Sequence, residues 1–381
     1  MTKVSIAKIL IESEAVATDM AATLRRNATG VEIVEARIEE SLRHLAPAEG
    51  KRVLLVRWFR GKSFKRCQGF KPEYACCNLH TFAEGNHCAL ECTFCILQYY
   101  MTSPHLTIFA NTGDIEAEIA DGAGDQPERI FRITTGELGD SLLLDPLTEA
   151  SRRWVLFFRG LKNALLELKT KTDNIENLLR LDAGQRTVVS WSVNPQEIVE
   201  REELKTAPID DRLAAASRVA RHGYPVGFHL DPIIHYAGWR AGYTGLLDAL
   251  LDAVPPERIA WISLGSLRFP LEMKPALATR FPRSTLRCGE LVPCDDGKMR
   301  YPRPIRAEMF RALVEHLEER FRRCGSAPLI YLCMEPPDMW QRVFGTPGPS
   351  TAELDFQFAE SYVRRFPHAG LPTPRREAHG P

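Results

Sequence analysis

The sequence predicts an α/β fold: a parallel (β/α) barrel, with a small α/β segment before it and a hairpin-and-helix extension after it. Three observations carry this. From about Arg129 to Arg268, β-rich segments alternate with helical ones, which is the pattern of a parallel sheet joined by right-handed crossovers. The chain has 381 residues, enough for one barrel-sized domain with additions. Beyond Leu286 the alternation gives way to a hairpin signal.

The elements follow in chain order. Residues 1–60 read as the N-terminal α/β segment: a strand ILIE (9–12), a helix from about Ala15 to Arg26, then the β-rich VEIVEA (31–36) and VLLVRWF (53–59). Residues 61–285 hold the barrel. A loop over 61–87, rich in Gly, Lys and Cys, leads into a cysteine loop at 85–100. Barrel strands are predicted at RIFRIT (129–134), ALLELKT (164–170), TVVSWSV (187–193), PVGFHLD (225–231) and IAWISLG (259–265). RWVLFFRGLKNAL, DDRLAAASRVARHG and YTGLLDALLDAV read as the helices between them. In the second, Leu213, Ala216, Val219 and Ala220 recur at helical spacing and Gly223 is placed to end the helix. Residues 286–369 form the extension. RCGELVPC and KMRY flank Asp295-Asp296-Gly297, a tight-turn signal, ahead of a helix from Arg306 to Arg323 and a strand LIYLCM (329–334). The Pro-, Arg- and Gly-rich stretch 370–381 is predicted to be disordered.

Composition narrows the function classes. Lys+Arg and Asp+Glu both number 49, so bulk charge supplies no attraction to nucleic acid and any such contact needs a local basic patch. No apolar run approaches the roughly 20 residues that span a bilayer, and Glu12 and Glu14 interrupt the apolar stretch near the N-terminus. A cytoplasmic protein without a membrane partner is expected. Its ten cysteines then read as metal ligands or reactive thiols rather than disulfides.

Cys88, Cys92 and Cys95 lie in the segment CALECTFC, with Cys-x3-Cys-x2-Cys spacing. Three thiolates on one loop can wrap a single metal site, and three ligands leave the open position that a reactive centre requires. Zinc held with a fourth ligand, His87 or Cys76, is the alternative on spacing, as are unligated thiols. Phe94, just before the last cysteine, resembles the radical S-adenosylmethionine (SAM) signature, in which an aromatic side chain in that slot packs near the adenine.

The segments CILQYY, TTGELGDSLLLDPLT (134–148), LKTKTDNIENLL (168–179), SWSVNPQEIVE (190–200), HGYPVGFHLDPIIHYAGW (222–239), DGKMRYPRPIRAEMF (296–310) and YLCMEPPDMW (331–340) together resemble the spore photoproduct lyase family of radical SAM proteins. The resemblance runs over roughly residues 5–365. It implies a partial barrel of radical SAM type, a [4Fe–4S] cluster on Cys88, Cys92 and Cys95, and SAM as the second cofactor. It further implies cleavage of SAM to a 5′-deoxyadenosyl radical that takes hydrogen from a substrate, an electron donor such as flavodoxin or ferredoxin, and a pyrimidine-dimer lesion of DNA as that substrate.

By the same resemblance, Glu137 contacts the SAM amino group, Lys171 the SAM carboxylate, and Ser192 and Asn194 help to hold SAM. Ordinary capping and strand-end roles are the alternatives for these residues. Asp140 and Ser141 read as substrate contacts or as an N-cap. The family's hydrogen-donor cysteine lies near TTGELGDS, where this chain has none, and its two relay tyrosines are replaced by Phe94 and Ile96. Tyr99 and Cys288 become the candidates for those catalytic roles, with Cys67, Cys76, Cys77 and Cys294 as further thiols for hydrogen donation or an auxiliary cluster. In the hairpin, Lys298, Arg300 and Tyr301, flanked by Arg287, Arg303 and Arg306, form the candidate nucleic-acid contact, since basic groups beside an aromatic ring suit phosphate contact and base stacking. A solvated charged edge is the plain alternative. His229, Asp231 and His235 are expected to be ordinary strand-end residues rather than a second metal site. Two further function classes stay open: a radical SAM enzyme with a substrate other than DNA, and a cluster- or zinc-binding protein without catalysis.

Overall fold

The computed structural model describes residues 2–39, 50–135 and 137–379. Two sheets organise it. The N-terminal sheet orders its strands as Glu32–Ala36, Lys8–Glu12, Val53–Arg57, Leu106–Phe109 and Gly85–Asn86; the first four run parallel and the last antiparallel. Ile9, Leu10 and Ile11, and Val53 through Val56, are buried on both faces, as continuous apolar runs in a parallel sheet should be. The segment expected at 1–60 is therefore not closed, because its sheet takes two strands from beyond residue 84.

The main sheet is the predicted barrel. Seven parallel strands follow in chain order: His80–Thr81, Phe131–Thr134, Ala164–Thr170, Thr187–Ser192, Val226–Ile233, Ile259–Ser266 and Leu329–Leu332. These are called the first to seventh barrel strands below. Lys65–Arg66 adds antiparallel to the first. Leu329–Leu332, assigned from sequence to the extension, is thus the last barrel strand. Covering helices include Ala150–Gly160, Ile209–His222, Trp239–Ala253, Arg303–Cys324 and Thr351–Arg365. Ile209–His222 ends where expected, with Gly223 at φ 112°, a conformation that costs glycine little. Thr351–Arg365 packs against inward-facing side chains of the last strands: Phe358 meets Tyr331 edge-on at 4.8 Å and Trp261 at 5.9 Å.

The hairpin forms at Val292–Pro293 and Lys298–Arg300, and Arg268–Pro270 adds a third strand to it. Residues 370–379, expected to be disordered, are packed instead. Arg376–Ala378 makes a turn, and His379 is fully buried with Nδ1 3.1 Å from Asp355 Oδ2.

Residues 67–79 leave the antiparallel pair 65–66/80–81 and cross from the first strand to the last. At one end Gln68 N–H donates to Glu137 Oε1 (2.9 Å). Further along, Gly69 packs against Met334 Sδ, the Arg300 guanidinium stands 5.6 Å from the centre of the Tyr74 ring, and Asn78 Nδ2 donates to Asp355 Oδ2 (3.1 Å). The loop thereby spans the gap between the two edges of the curled sheet.

Candidate active site

The cysteine loop is fastened on both sides. Gly85 pairs with Ile108 of the N-terminal sheet, and a Cβ on it would stand 2.3 Å from the Thr107 carbonyl oxygen, so only glycine fits this approach. His87 turns the chain with φ 72° and its ring accepts from Cys88 N–H (3.0 Å). Glu91–Cys92 then pairs antiparallel with Glu203–Leu204, and Thr93 N–H donates to the Glu202 carbonyl (2.8 Å). Cys95 N–H donates to Cys92 O (3.1 Å) before the short helix Leu97–Tyr100.

Cys88, Cys92 and Cys95 lie within electrostatic reach of one another. Burial pushes all three thiols up, Cys92 to about 12. Lys171 acts against this at Cys92 and Cys95, and Lys51 at Cys95. Three soft donors, one buried and two half-buried, with nearby cations suit a group whose positive charge ionises them on binding. Among the described residues, no three His, Cys, Asp or Glu side chains converge as ligands of a single metal ion. A four-iron cluster asks for less convergence, since each cysteine would take a different iron. Cys76 does not join them: it lies beside Cys77 on the 67–79 loop, its N–H donating to Thr351 Oγ1 (3.4 Å).

Behind the loop lies a buried charge network centred on Glu203, which is shut off from solvent. It accepts from Lys171 Nζ (2.6 Å), Asn194 Nδ2 (2.8 Å) and Arg212 Nη1 (2.6 Å). Burial alone would raise this carboxyl; Lys171 and Arg212 outweigh it and hold Glu203 at about 2. Asn194 is fully buried and its carbonyl oxygen accepts from Tyr243 OH (2.6 Å). Each end of its amide thus has a partner within the protein, Glu203 and Tyr243. Lys171 remains partly open, with its ammonium 5.4 Å from the centre of the Phe94 ring. Ser192 ends the fourth strand beside His229, and its carbonyl accepts from Arg212. Asp140 is a clamp: its carboxylate accepts from Thr170 Oγ1, Lys171 N–H and Leu142 N–H. Ser141 Oγ accepts from Lys169 N–H (3.0 Å). Glu137 accepts from Gln68 N–H and from Thr81 Oγ1 (3.0 Å) at the rim of the first two strands.

The barrel interior holds charges that the sequence reading passed over. Glu167, in the middle of the third strand, accepts from Ser190 Oγ (2.7 Å) and stands 2.7 Å from His229 Nε2. Arg132 donates to Cys77 Sγ (2.8 Å) and lies 4.0 Å from the Phe358 ring centre. One layer nearer the C-terminal rim, Asp231 accepts both arms of Arg268 at 2.9 Å. His229 and Asp231 are thus paired separately, and His235 sits apart, 6.0 Å from the Tyr301 ring. The signal for these groups was present: Arg132 and Glu167 are charges set among apolar residues in the strands FRIT and ALLELKT.

Four sequence candidates are moved. Tyr99 is 43% exposed and packs on Tyr100 at the surface, and Cys288 is exposed in the turn 286–288; neither stands in the barrel. Arg300 is 1% exposed and paired with Asp296 (2.7 Å) and Glu335 (3.6 Å). Tyr301 is buried and its hydroxyl accepts from His235 N–H (3.1 Å). Lys298 is half-buried beside Asp296. The hairpin's basic side chains thus brace it from within, while Arg303 at its base is exposed and paired with Asp338 (3.3 Å).

A family model described as spore photoproduct lyase matches residues 20–303. The spore photoproduct lyase of Bacillus subtilis is 28% identical over 223 residues, 58% of this chain and 63% of that one. That of Clostridium acetobutylicum is 23% identical over 254 residues, 66% and 71% of the two chains. The match thus spans just under two thirds of the Bacillus subtilis protein's length. A solved structure of a spore photoproduct lyase variant superposes with a TM-score of 0.76 at 23% identity, covering 87% of this chain and all of that one. Another variant, with bound AdoMet and dinucleoside spore photoproduct, gives 0.75 at 22% identity over the same shares. These likenesses establish the half-barrel fold.

Proposed function

The chain belongs to the spore photoproduct lyase family, and from that premise we propose that it is a radical SAM enzyme that repairs a pyrimidine-dimer lesion of DNA. The observation that carries the reading is the trio Cys88, Cys92 and Cys95, grouped on one loop at the rim of the half-barrel, Cys92 buried and the other two half-buried, with lysines beside them. A [4Fe–4S] cluster on these cysteines, reduced by a carrier such as flavodoxin or ferredoxin, would supply the electron that splits SAM into methionine and a hydrogen-abstracting radical.

The chain's own residues bind, orient and exclude water. The pairing of Cys92 with Glu203 fixes the loop against the barrel. Glu203 holds Lys171 beside Phe94, and a cation next to an aromatic face suits a carboxylate and an adenine. Glu137 and the Asp231–Arg268 pair line the rim above the Glu167–His229 layer, so a substrate in the barrel meets fixed charges in place of bulk water. Among the described residues no helix is long and apolar enough to cross a membrane, and we place the enzyme in the cytoplasm, where reduced thiols and low-potential carriers are found.

One observation favours a second reading, a radical SAM enzyme acting on a smaller substrate than duplex DNA: the inward turn of Arg300 and Tyr301 removes two of the three hairpin contacts. The test is anaerobic reconstitution, reduction with dithionite and assay of 5′-deoxyadenosine, with and without UV-irradiated DNA. Iron uptake and 5′-deoxyadenosine that depend on Cys92, with stimulation by irradiated DNA, support repair. SAM cleavage indifferent to DNA moves the reading to the smaller substrate, and no iron or SAM cleavage leaves a non-catalytic protein.

A further inference from the structure

We propose that a pocket beside the barrel mouth takes the nucleobase next to the lesion on the damaged strand, stacked on His235 and Tyr236. The inference rests on the DNA-lesion reading and gives it a second contact, separate from the cysteine loop and the barrel interior. The pocket has a volume of about 290 Å³ and lies among Arg201, His235, Tyr236, Glu290 and Tyr301. That is the small end of ligand pockets, which run from roughly 300 to 1,000 Å³, so it suits one planar ring system rather than a dimer of two.

Two observations place the pocket at the mouth. His235 follows the fifth barrel strand, whose Asp231 stands near the C-terminal rim, and (β/α) folds carry their reacting groups at that end. Glu202, on another wall of the pocket, is tied to the cysteine loop: its backbone carbonyl accepts from Thr93 N–H and its carboxylate from Thr93 Oγ1. A base held here is one side chain away from the loop of Cys92 and Cys95.

The rings are set before any ligand arrives. His235 is exposed, and its ring leans on the buried rings of Tyr301 (6.0 Å between centres) and Trp239 (6.1 Å). Tyr236 is half-buried, and its hydroxyl fills the space that Gly242 leaves, since a Cβ on that glycine would collide with the oxygen. Fixed rings lose little freedom when a ligand binds, and stacking accepts every base because each has a π-face. The His235 ring makes no hydrogen bond among the described residues, so its nitrogens are open to a base edge. The lip carries the polar partners that a nucleotide needs. Arg201, shared between Glu197 and Thr285 in an exposed contact, suits a phosphate, and the exposed Glu290 suits an exocyclic amino group. Tyr301, buried away from the hairpin surface, serves as the inner wall.

The first test uses the full chain without added SAM and single-stranded hexanucleotides that carry 2-aminopurine, whose fluorescence stacking quenches, beside a spore photoproduct lesion. Quenching should be strong in the wild type and lost in His235→Ala and in Tyr236→Ala, with urea midpoints reporting that both variants fold. No quenching in the wild type, or full quenching in both folded variants, overturns the proposal. Relief of the quenching by an equimolar free nucleoside would show a pocket for a detached base and overturn the strand assignment. The second test uses the reconstituted chain with dithionite and SAM, and compares the half-saturating concentration of the lesion as a bare dinucleotide and within the hexanucleotide. Stacking of the flanking base should make the hexanucleotide about tenfold tighter, and His235→Ala should bring that ratio toward one. An equal ratio in wild type and His235→Ala overturns the proposal. Absence of 5′-deoxyadenosine in the wild type would overturn the radical SAM reading alone, because the quenching test needs no SAM cleavage and still decides the pocket.

Discussion

Replacing Glu203 by Gln removes one negative charge from a site that holds Lys171 and Arg212, the latter with no exposed side-chain surface. The cost follows from two routes. Breaking a buried ion pair from one side leaves its partner uncompensated, typically at about 3–5 kcal/mol. Independently, the fall of this carboxyl from its ordinary 4.5 to about 2 corresponds to about 3 kcal/mol of folded-state preference for the charged form. Because the folded value lies below the unfolded one, that contribution is complete above pH 4.5 and disappears as the pH falls toward 2. Urea unfolding at pH 7 should therefore show a loss of about 3 kcal/mol in Glu203→Gln, and the gap from wild type should narrow below pH 4.5. A double variant Glu203→Gln, Arg212→Met should recover part of the loss, since the fully buried cation is then gone and only the partly open Lys171 lacks its partner. A loss under about 1 kcal/mol at pH 7, the worth of an ordinary exposed pair, would refute the reasoning and show that water reaches Arg212.

Two more outcomes follow from the same physics. Burial raises Glu84 to about 7 despite the hydrogen bond from Trp154 Nε1 (2.8 Å); a folded value above the unfolded 4.5 means that the group destabilises once ionised, so Glu84→Gln should stabilise the protein at pH 8, by at most about 3 kcal/mol, with no gain below pH 4.5 in paired urea titrations. Arg300→Ala should cost about 3–5 kcal/mol by leaving buried Asp296 and Glu335 short of a cation, whereas Arg303→Ala, exposed at the surface, should change urea stability by under about 1 kcal/mol; equal losses in the two would refute the internal-brace assignment.

The strands that carry the barrel were legible because they are long and apolar. Ala164–Thr170 was read to the residue, and the fourth, fifth and sixth strands to within two residues at each end. What escaped was short and held by distant partners. His80–Thr81 and Gly85–Asn86 are two residues each, with no periodicity to read; they are strands because Ile133 and Ile108 lie beside them. Thr112–Gly124 was missed because Gly113, Gly122 and Gly124 suppress its helical signature. At the site, the cysteine trio was plain from spacing, but Asn194 and Arg300 were not. A polar strand end and a basic hairpin look alike in sequence whether they face a ligand or a buried carboxylate. The carboxylates that decided the matter, Glu203 and Glu335, lie 9 and 35 residues away along the chain.

The crossing of residues 67–79 to the last strand and helix sets an order of events during synthesis. Its far anchors, Met334, Thr351 and Asp355, leave the ribosome more than 230 residues after the cysteine loop. Until they arrive, the seam between the first and last barrel strands cannot shut. Domains form as the chain emerges, so the half-barrel that starts to assemble with its first strands is closed only once the seventh strand and the helix Thr351–Arg365 have emerged.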